Sequence, residues 1–214
     1  MAVCEYCGGV ACWNEQGLAG TGKRSMLSEG FTRLYRGATG TLRGQRFRVE
    51  GRVRYSFGEG FWDEWYVTTP DGTPAWLTED DHELALQTRY DGSGVETRGV
   101  RPGQTLALTR VAPLRDGIPT PANSAGVGLP SLRFAPLIGA GSYVVLEIGQ
   151  ARCIGVEGRL PHAILPEEAH DYLDATSPDG RQSLGVERDD EGTTVLYLGE
   201  WLGHHELTLD DERR

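Results

Sequence analysis

A strict alternation of side chains between residues 46 and 57 constrains the fold of this chain more than any other feature. Apolar or small residues occupy one set of alternate positions and mostly charged residues occupy the other. The first set is Phe47, Val49, Gly51, Val53, Tyr55 and Phe57; the second is Arg46, Arg48, Glu50, Arg52 and Arg54. A period of two residues is that of a β-strand. The segment is therefore predicted to be a strand with one buried face and one face in water.

A hairpin is predicted to follow this strand. Gly58-Glu59-Gly60 supplies the glycines of a short loop, and residues 61–68 are rich in the aromatic and β-branched residues of a return strand. Pairing of Phe57 with Phe61 would place Arg54 opposite Glu64. The turn at Pro70-Asp71-Gly72 and two further short strands, at residues 75–78 and 83–90, complete the first half.

The second half of the chain repeats this pattern. Val49-Glu50-Gly51-Arg52-Val53 returns 107 residues later as Val156-Glu157-Gly158-Arg159-Leu160. Thr68-Thr69-Pro70-Asp71-Gly72 returns 108 residues later as Thr176-Ser177-Pro178-Asp179-Gly180. Two matches in the same order and at nearly equal separation indicate an internal duplication. We predict an all-β fold: two related small β-barrels or β-sandwiches in tandem, related by a pseudo-two-fold axis, with a short N-terminal cysteine knuckle.

The domain boundaries follow from these repeats. The cysteine knuckle and its linker occupy residues 1–24, the first β domain residues 25–111 and the second β domain residues 137–209. Residues 112–136 contain five prolines and many small residues, which is typical of a linker or a long surface loop. Residues 210–214 form a charged tail.

Composition narrows the function classes. The 214 residues carry a formal net charge of −10, which disfavours general nucleic-acid binding, where a basic footprint is expected. No segment approaches the roughly 18 uninterrupted apolar residues of a membrane span. The first residues lack the pattern of a signal peptide, and four cysteines in a chain of this length do not resemble a secreted disulfide framework. We therefore expect a cytoplasmic protein.

Cys4, Cys7 and Cys12 form the sharpest local signal for a cofactor. The run Cys4-Glu5-Tyr6-Cys7-Gly8-Gly9 resembles the knuckle of a zinc ribbon, in which two thiolates on a tight turn bind one metal ion. Cys12 is a candidate third ligand, and Cys153 or one of the five histidines a candidate fourth. The alternatives are a degenerate ribbon without metal and three reduced surface thiols.

Trp62, Glu64, Tyr66 and Trp76 are the candidate ligand-binding residues. The first three share one face of the predicted hairpin, which we expect to be exposed, and aromatic rings beside carboxylates suit cationic ligands. The ligand would be a polyamine-like cation or the edge of a partner protein's peptide, bound in the cleft between the halves. Ordinary core packing of these rings is the alternative.

Sequence motifs for catalysis are missing. The chain contains neither Gly-x-Ser-x-Gly nor His-Glu-x-x-His, so a non-enzymatic binding or adaptor module is the favoured interpretation. One alternative is a hydrolase or transferase with its site in the cleft between the halves, which a converging carboxylate pair or His-carboxylate pair would favour. Another is binding of an anionic surface through the arginines of residues 46–54.

Several segments resemble a bacterial domain family of unknown function, DUF4178. The resemblance rests on residues 40–52, on Trp62-Asp63-Glu64-Trp65-Tyr66 with Trp76-Leu77, and in the second half on residues 156–160, 171–174 and 196–201. It implies an N-terminal zinc-ribbon-like segment, which Cys4 and Cys7 match, whereas the second cysteine pair is lacking. Its genes tend to neighbour those of spermidine-synthase-like enzymes, phage-shock-like proteins and small membrane proteins. This implies an accessory role in envelope stress or membrane remodelling, and it implies no catalytic residues.

Overall fold

The structure, a computed structural model, describes residues 1–28, 30, 32–58, 60–109, 111–112, 114 and 141–211. Within these ranges the regular structure is β-strand apart from one 3-10 turn, His204–Glu206, so the all-β prediction is confirmed. The strands are β1 (Ala2–Val3), β2 (Gly9–Asn14), β3 (Gly17–Arg24), β4 (Thr39–Leu42), β5 (Gln45–Phe57), β6 (Gly60–Thr68), β7 (Pro74–Asp80), β8 (Glu83–Asp91), β9 (Thr105–Leu108), β10 (Gly141–Gly158), β11 (Ala169–Thr176), β12 (Gln182–Arg188), β13 (Thr194–Leu202) and β14 (Leu207–Leu209).

Eight of these strands close into one barrel. Their order around the ring is β5-β6-β7-β8-β13-β12-β11-β10, and β10 pairs back to β5. All neighbours are antiparallel. The prediction of two separate small barrels or sandwiches therefore needs correction, because each half of the chain contributes four strands to a single ring. Closure leaves no free edge within the ring itself.

Two seams join the halves. At the first, β5 pairs with β10, and Gly51 lies opposite Gly158. At the second, β8 pairs with β13, and Arg89 lies opposite Tyr197. The two Pro-Asp-Gly segments occupy matching turns, β6 to β7 and β11 to β12, where the Gly72 and Gly180 amides donate to the carbonyls of the residues three positions earlier.

The hairpin register differs from the predicted one. Phe57 pairs with Gly60, so Arg54 faces Asp63 and Glu64 faces Val53. The register shifts between Val49 and Gly51, where Glu50 forms a β-bulge that the alternation did not predict. After the bulge, the arginines of β5 point to the face of the strand on which the apolar side chains lie before the bulge. Arg52 and Arg54 are consequently buried, at 4% exposure each, instead of facing water.

Apolar clusters also cover the outer faces of the barrel. On the first half, Trp65, Leu77 and Leu86 pack against Leu34 and Leu207, which come from outside the ring. On the second half, a similar cluster includes residues of β9, which pairs with the beginning of β10. Much of the apolar surface of the ring is thus buried outside its lumen.

A separate sheet of β1, β2 and β3, termed here the N-terminal sheet, closes one end of the barrel. Met1 and Val10 belong to the same buried cluster as Leu160 and the lumen-facing aromatic rings. Ser25, which follows β3, donates to the Val156 carbonyl and accepts from the Val156 amide, both at 2.6 Å. The lumen is therefore sealed at this end and has its opening at the other.

The predicted linker at residues 112–136 lies outside the described residues except for 112 and 114. The predicted charged tail is described as far as Asp211, and Asp210 forms an ion pair with Arg46. In the described part of the chain no helix has the length and apolar character needed to cross a membrane, in agreement with the sequence.

Candidate functional site

The lumen of the barrel contains a cavity of about 220 Å³. All eight strands of the ring contribute to its wall, because alternate residues of each strand point inward. The lining residues are Phe57, Trp62, Glu64, Thr78, Asp80, Glu83, Ala85, Gln87, Leu146, Glu147, Tyr172, Asp174, Ala175, Ser183, Leu184, Gly185, Val186, Glu187, Tyr197 and Trp201.

The wall of the lumen is strongly acidic. Six of its twenty residues are Asp or Glu, and none of the lining residues among those described is Lys, Arg or His. Five more are aromatic: Phe57, Trp62, Tyr172, Tyr197 and Trp201. Because like charges in a narrow cavity raise each other's energy, this wall attracts a cation and repels an anion.

Glu64 and Glu187 form the deepest part of the acidic wall and are termed here the carboxyl pair. They reach into the lumen from β6 and β12, which are four strands apart in the ring of eight and thus face each other. Burial, followed by the like charge of Glu187, raises the pKa of Glu64 well above its usual value. Burial also raises the pKa of Glu187 to about 7.

Glu64 has one satisfied and one unsatisfied oxygen. Its Oε1 accepts a hydrogen bond of 3.3 Å from Trp62 Nε1. Its Oε2 is buried and meets no hydrogen-bond donor among the described residues. A buried acceptor without a partner costs about 1–3 kcal/mol, so this oxygen is a ready point of attachment for a group that donates.

His170 lies next to the carboxyl pair without lining the cavity itself. Its Nε2 lies 3.4 Å from Glu187 Oε1, and its ring packs edge-on against Tyr55. Burial lowers the pKa of His170, and the nearby Glu64 charge opposes this effect in part. A carboxyl pair and a His-carboxylate pair therefore converge at one place in the molecule.

The mouth of the lumen, defined by Asp80, Glu83 and Glu147, is exposed to solvent. Tyr172 donates a hydrogen bond of 2.6 Å to Glu147 Oε1 and so fixes one carboxylate at the rim. Asp174, two residues further along β11, still contacts water. Its pKa is nevertheless raised, first because the surrounding lumen wall displaces much of the solvent and then because carboxylates lie nearby. Negative charge thus extends from the mouth to the carboxyl pair.

The four predicted ligand-binding residues all point toward the barrel interior. Trp62 and Glu64 line the cavity, whereas Tyr66 and Trp76 pack together beneath it in the core, with ring centroids 5.3 Å apart. The expectation that Trp62, Glu64 and Tyr66 lie on an exposed face was wrong, since all three are buried. The expected cleft between the halves corresponds to a lumen that both halves line.

Sequence reasoning missed most of the acidic wall. Glu187 and Asp174 alternate with the apolar residues of β12 and β11, a pattern that we interpret in a sheet as a solvated outer face. The only usable signal was the excess of acidic residues over the chain. Alternation alone cannot distinguish water outside a barrel from a polar lumen inside it.

The arginines of β5 do not form one exposed basic face. Arg54 makes two hydrogen bonds to Asp63, of 2.8 and 2.7 Å, and Arg52 Nε lies 2.9 Å from Glu157 Oε1. These partners neutralise the buried arginines. Arg46 and Arg48, before the bulge, are the exposed ones.

The cysteines occupy different environments. Cys4 and Cys7 lie in the exposed turn between β1 and β2, Cys12 lies on β2 and Cys153 is buried in the barrel core. Hydrogen bonds from the backbone of Cys7 lower the pKa of Cys4. No group of three or more Cys, His, Asp or Glu in the described ranges is arranged to hold a metal ion.

Fold and site together define a closed eight-stranded barrel with an acidic lumen. Residues 36–204 match the family model described as Domain of unknown function (DUF4178), and the chain belongs to this family. This confirms the resemblance noted in the sequence. Comparison with curated proteins and with solved structures gave no significant match.

Proposed function

We propose that this chain is a non-enzymatic binding module whose lumen takes a small organic cation. The supporting observation is the composition of the wall, with six carboxylates, five aromatic rings and no basic side chain among the described lining residues. Carboxylates neutralise the charge of such a ligand, and the faces of aromatic rings attract cations. The volume of about 220 Å³ suits a ligand of a few heavy atoms.

Calorimetric titration at pH 8 and low salt tests this proposal. The two probes are n-butylammonium and its neutral counterpart n-butanol, which differ chiefly in charge. We expect saturable binding of the cation, no binding of the alcohol, and at least tenfold weaker binding of the cation to Glu64→Gln. Glu191→Gln, the same charge change on an exposed hairpin, is the matched control and should bind like wild type. Equal binding of both probes would remove the proposal.

A hydrolase or transferase is the second candidate function. The observation in its favour is the convergence of Glu64, Glu187 and His170, since carboxyl groups with raised pKa values and a neutral histidine suit general acid–base catalysis. Turnover of chromogenic esters and glycosides by wild type tests it. Activity that is lost in Glu187→Gln and kept in Glu191→Gln would support it, and activity equal in both variants would rule it out.

We also propose that the module acts as an adaptor in the cytoplasm, accessory to an envelope-stress or membrane-remodelling system. Family resemblance and the pattern of cysteine use support this. Binding of the purified chain to the products of neighbouring genes, measured with and without n-butylammonium, tests the adaptor role. Partner binding that is equal with and without n-butylammonium would show that the adaptor role does not depend on the lumen.

A structural zinc at Cys4, Cys7 and Cys12 is a further proposal, and its support is the turn that brings Cys4 and Cys7 together. A fourth ligand would have to complete the set. Elemental mass spectrometry of protein purified without added zinc or chelator tests it. Near one zinc per chain, lost in the Cys4→Ser and Cys7→Ser double variant, is the expected result; metal-free wild type would overturn the proposal.

Duplication remains our proposal for the origin of the halves. Gly51 and Gly158 are the central residues of the two five-residue repeats, 49–53 and 156–160, and they lie opposite each other at a seam. A two-fold axis pairs equivalent residues in this way. A comparison of sequence profiles built separately from the two halves of many relatives tests this, and profiles no more similar than unrelated strands would contradict it.

A further inference from the structure

The carboxyl pair lacks a donor that its geometry requires. Glu64 and Glu187 extend from facing strands of the ring into the same cavity, where each carboxyl group influences the pKa of the other. A carboxylate only accepts hydrogen bonds, so two ionised carboxylates in contact have nothing to share. A single proton between them supplies the missing donor to one oxygen and removes the repulsion of two buried charges.

The surroundings of the carboxyl pair set how firmly this proton is held. Trp62 Nε1 and the Tyr197 hydroxyl donate to the carboxylates, and Arg89 contributes a positive charge; all three favour ionisation. Burial and the negative charge of Asp174 favour the proton. The titratable or charged groups that face the pair from the ring are Tyr55 on β5, Asp80 on β7, Arg89 on β8, Tyr197 on β13, His170 and Asp174 on β11, and Glu147 and Cys153 on β10.

We propose that the charged head of the ligand is a protic ammonium or amidinium group, one that bears N–H bonds, and that it takes the place of the proton shared by Glu64 and Glu187. This inference rests on the proposed function of the lumen. The exchange balances: the ligand enters as a monocation, the pair becomes two carboxylates, and one proton leaves to solvent. No covalent bond between ligand and protein forms.

The Glu64 oxygen that accepts no hydrogen bond favours ligands that carry N–H bonds. Oε1 already accepts from Trp62, so Oε2 is the oxygen left for the ligand. An ammonium head donates to it and to Glu187 at once, whereas a quaternary ammonium carries the same charge and has no hydrogen to donate. Burying Oε2 against methyl groups would leave the acceptor unpaired, which costs affinity.

Calorimetry with n-butylammonium and butyltrimethylammonium tests the inference. Titrations at pH 6, 7 and 8, each in phosphate and in HEPES, give the number of protons released, because these buffers differ in ionisation enthalpy. We expect about one proton released per n-butylammonium at pH 6, and affinity that rises by up to about tenfold per pH unit until the empty pair no longer holds its proton. The quaternary probe should bind at least tenfold more weakly. In Glu187→Gln, or in Glu64→Gln should the first fold poorly, the proton release should disappear.

A second measurement needs no ligand. Carboxyl ¹³C NMR of the empty protein should show one proton on the pair at pH 6, with a titration that Glu191→Gln leaves unchanged and Glu187→Gln abolishes. Full ionisation of both groups at pH 6 would overturn the inference, and so would n-butylammonium binding without proton release or with no preference over the quaternary probe. Those outcomes leave the proposed function intact. Failure of every cation to bind would remove both.

Discussion

Gly51 of β5 lies directly opposite Gly158 of β10, at the seam where the last pair of strands closes the barrel. A Cβ atom at Gly51 would lie 2.4 Å from the Arg159 carbonyl oxygen and 2.8 Å from that of Glu157. Both are backbone atoms and cannot rotate away. The close approach of the two strands at this point therefore depends on glycine.

Gly51→Ala should lower the free energy of unfolding by about 1–3 kcal/mol, since overpacking at a backbone contact forces the seam apart. Urea unfolding measures it. Gly20→Ala on β3 is the matched control, because a Cβ there meets no atom within 4 Å. A loss no larger than that of the control would show that the seam tolerates a side chain.

Asp63→Asn should destabilise the fold by about 3–5 kcal/mol. Asp63 forms two hydrogen bonds with the buried Arg54 and lies 3.6 Å from Arg52 Nη1. Loss of its charge leaves Arg54 without an ion-pair partner, whereas Arg52 keeps Glu157. Asp210→Asn removes the partner of Arg46 at the surface and should cost far less. Thermal and urea unfolding measure the loss of stability in both variants. Equal losses in the two would contradict the prediction.

The stability of the empty protein should depend on pH through Glu187. Its pKa is raised to about 7 in the folded state, so the folded chain binds this proton more tightly than the unfolded chain does. The resulting stabilisation is fully present below the unfolded pKa near 4.5 and is lost as pH rises through 7.

Glu187→Gln should therefore gain about 2–3 kcal/mol of stability relative to wild type between pH 5 and pH 8. The comparison with wild type is needed because His162 has the opposite effect on the stability of the protein. Burial lowers the pKa of His162 to about 3, so its contribution to stability is lost as pH falls. Urea unfolding across this range measures the difference, and Glu191→Gln should show none. A constant difference would mean that Glu187 titrates normally.

Ser25→Ala should loosen the N-terminal sheet from the barrel. The hydroxyl satisfies both the amide and the carbonyl of Val156 in a buried position, so its loss leaves two backbone groups without partners and costs about 1–3 kcal/mol. Hydrogen exchange should accelerate in β1, β2 and β3 and around Val156. Ser93→Ala, at an exposed turn, should leave exchange unchanged; unaltered protection in Ser25→Ala would contradict the assignment.

The sequence predicted the strands of the first half well, because alternation and turn residues are local signals. Residues 46–57, the Pro70-Asp71-Gly72 turn and the later strands all lie where they were expected, to within a few residues. Trp62 and Glu64, two of the four predicted ligand-binding residues, line the cavity. Local signals were sufficient for the strands and turns, and ligand binding at the two residues stays a prediction.

The faces of the strands could not be predicted, since they depend on distant parts of the chain. The Glu50 bulge reverses the alternation midway through β5, so Arg52 and Arg54 become buried although Arg46 and Arg48, before the bulge, are exposed. Outer apolar residues such as Leu77 are covered by segments far away in sequence, including Leu207. Closure of the ring then turns the polar face of β12, which includes Glu187, toward the lumen.

The two seams also determine how the chain must fold. Each hairpin within a half joins neighbours in sequence, whereas β5 and β10 must meet although their paired residues are about a hundred positions apart. Contacts of such high sequence separation are slow to form, because the entropy of the intervening loop is lost before they are gained. Until then β5 and β10 present unpaired edges to other chains. Refolding should accordingly end in a slow closure phase, and its yield should fall as protein concentration rises.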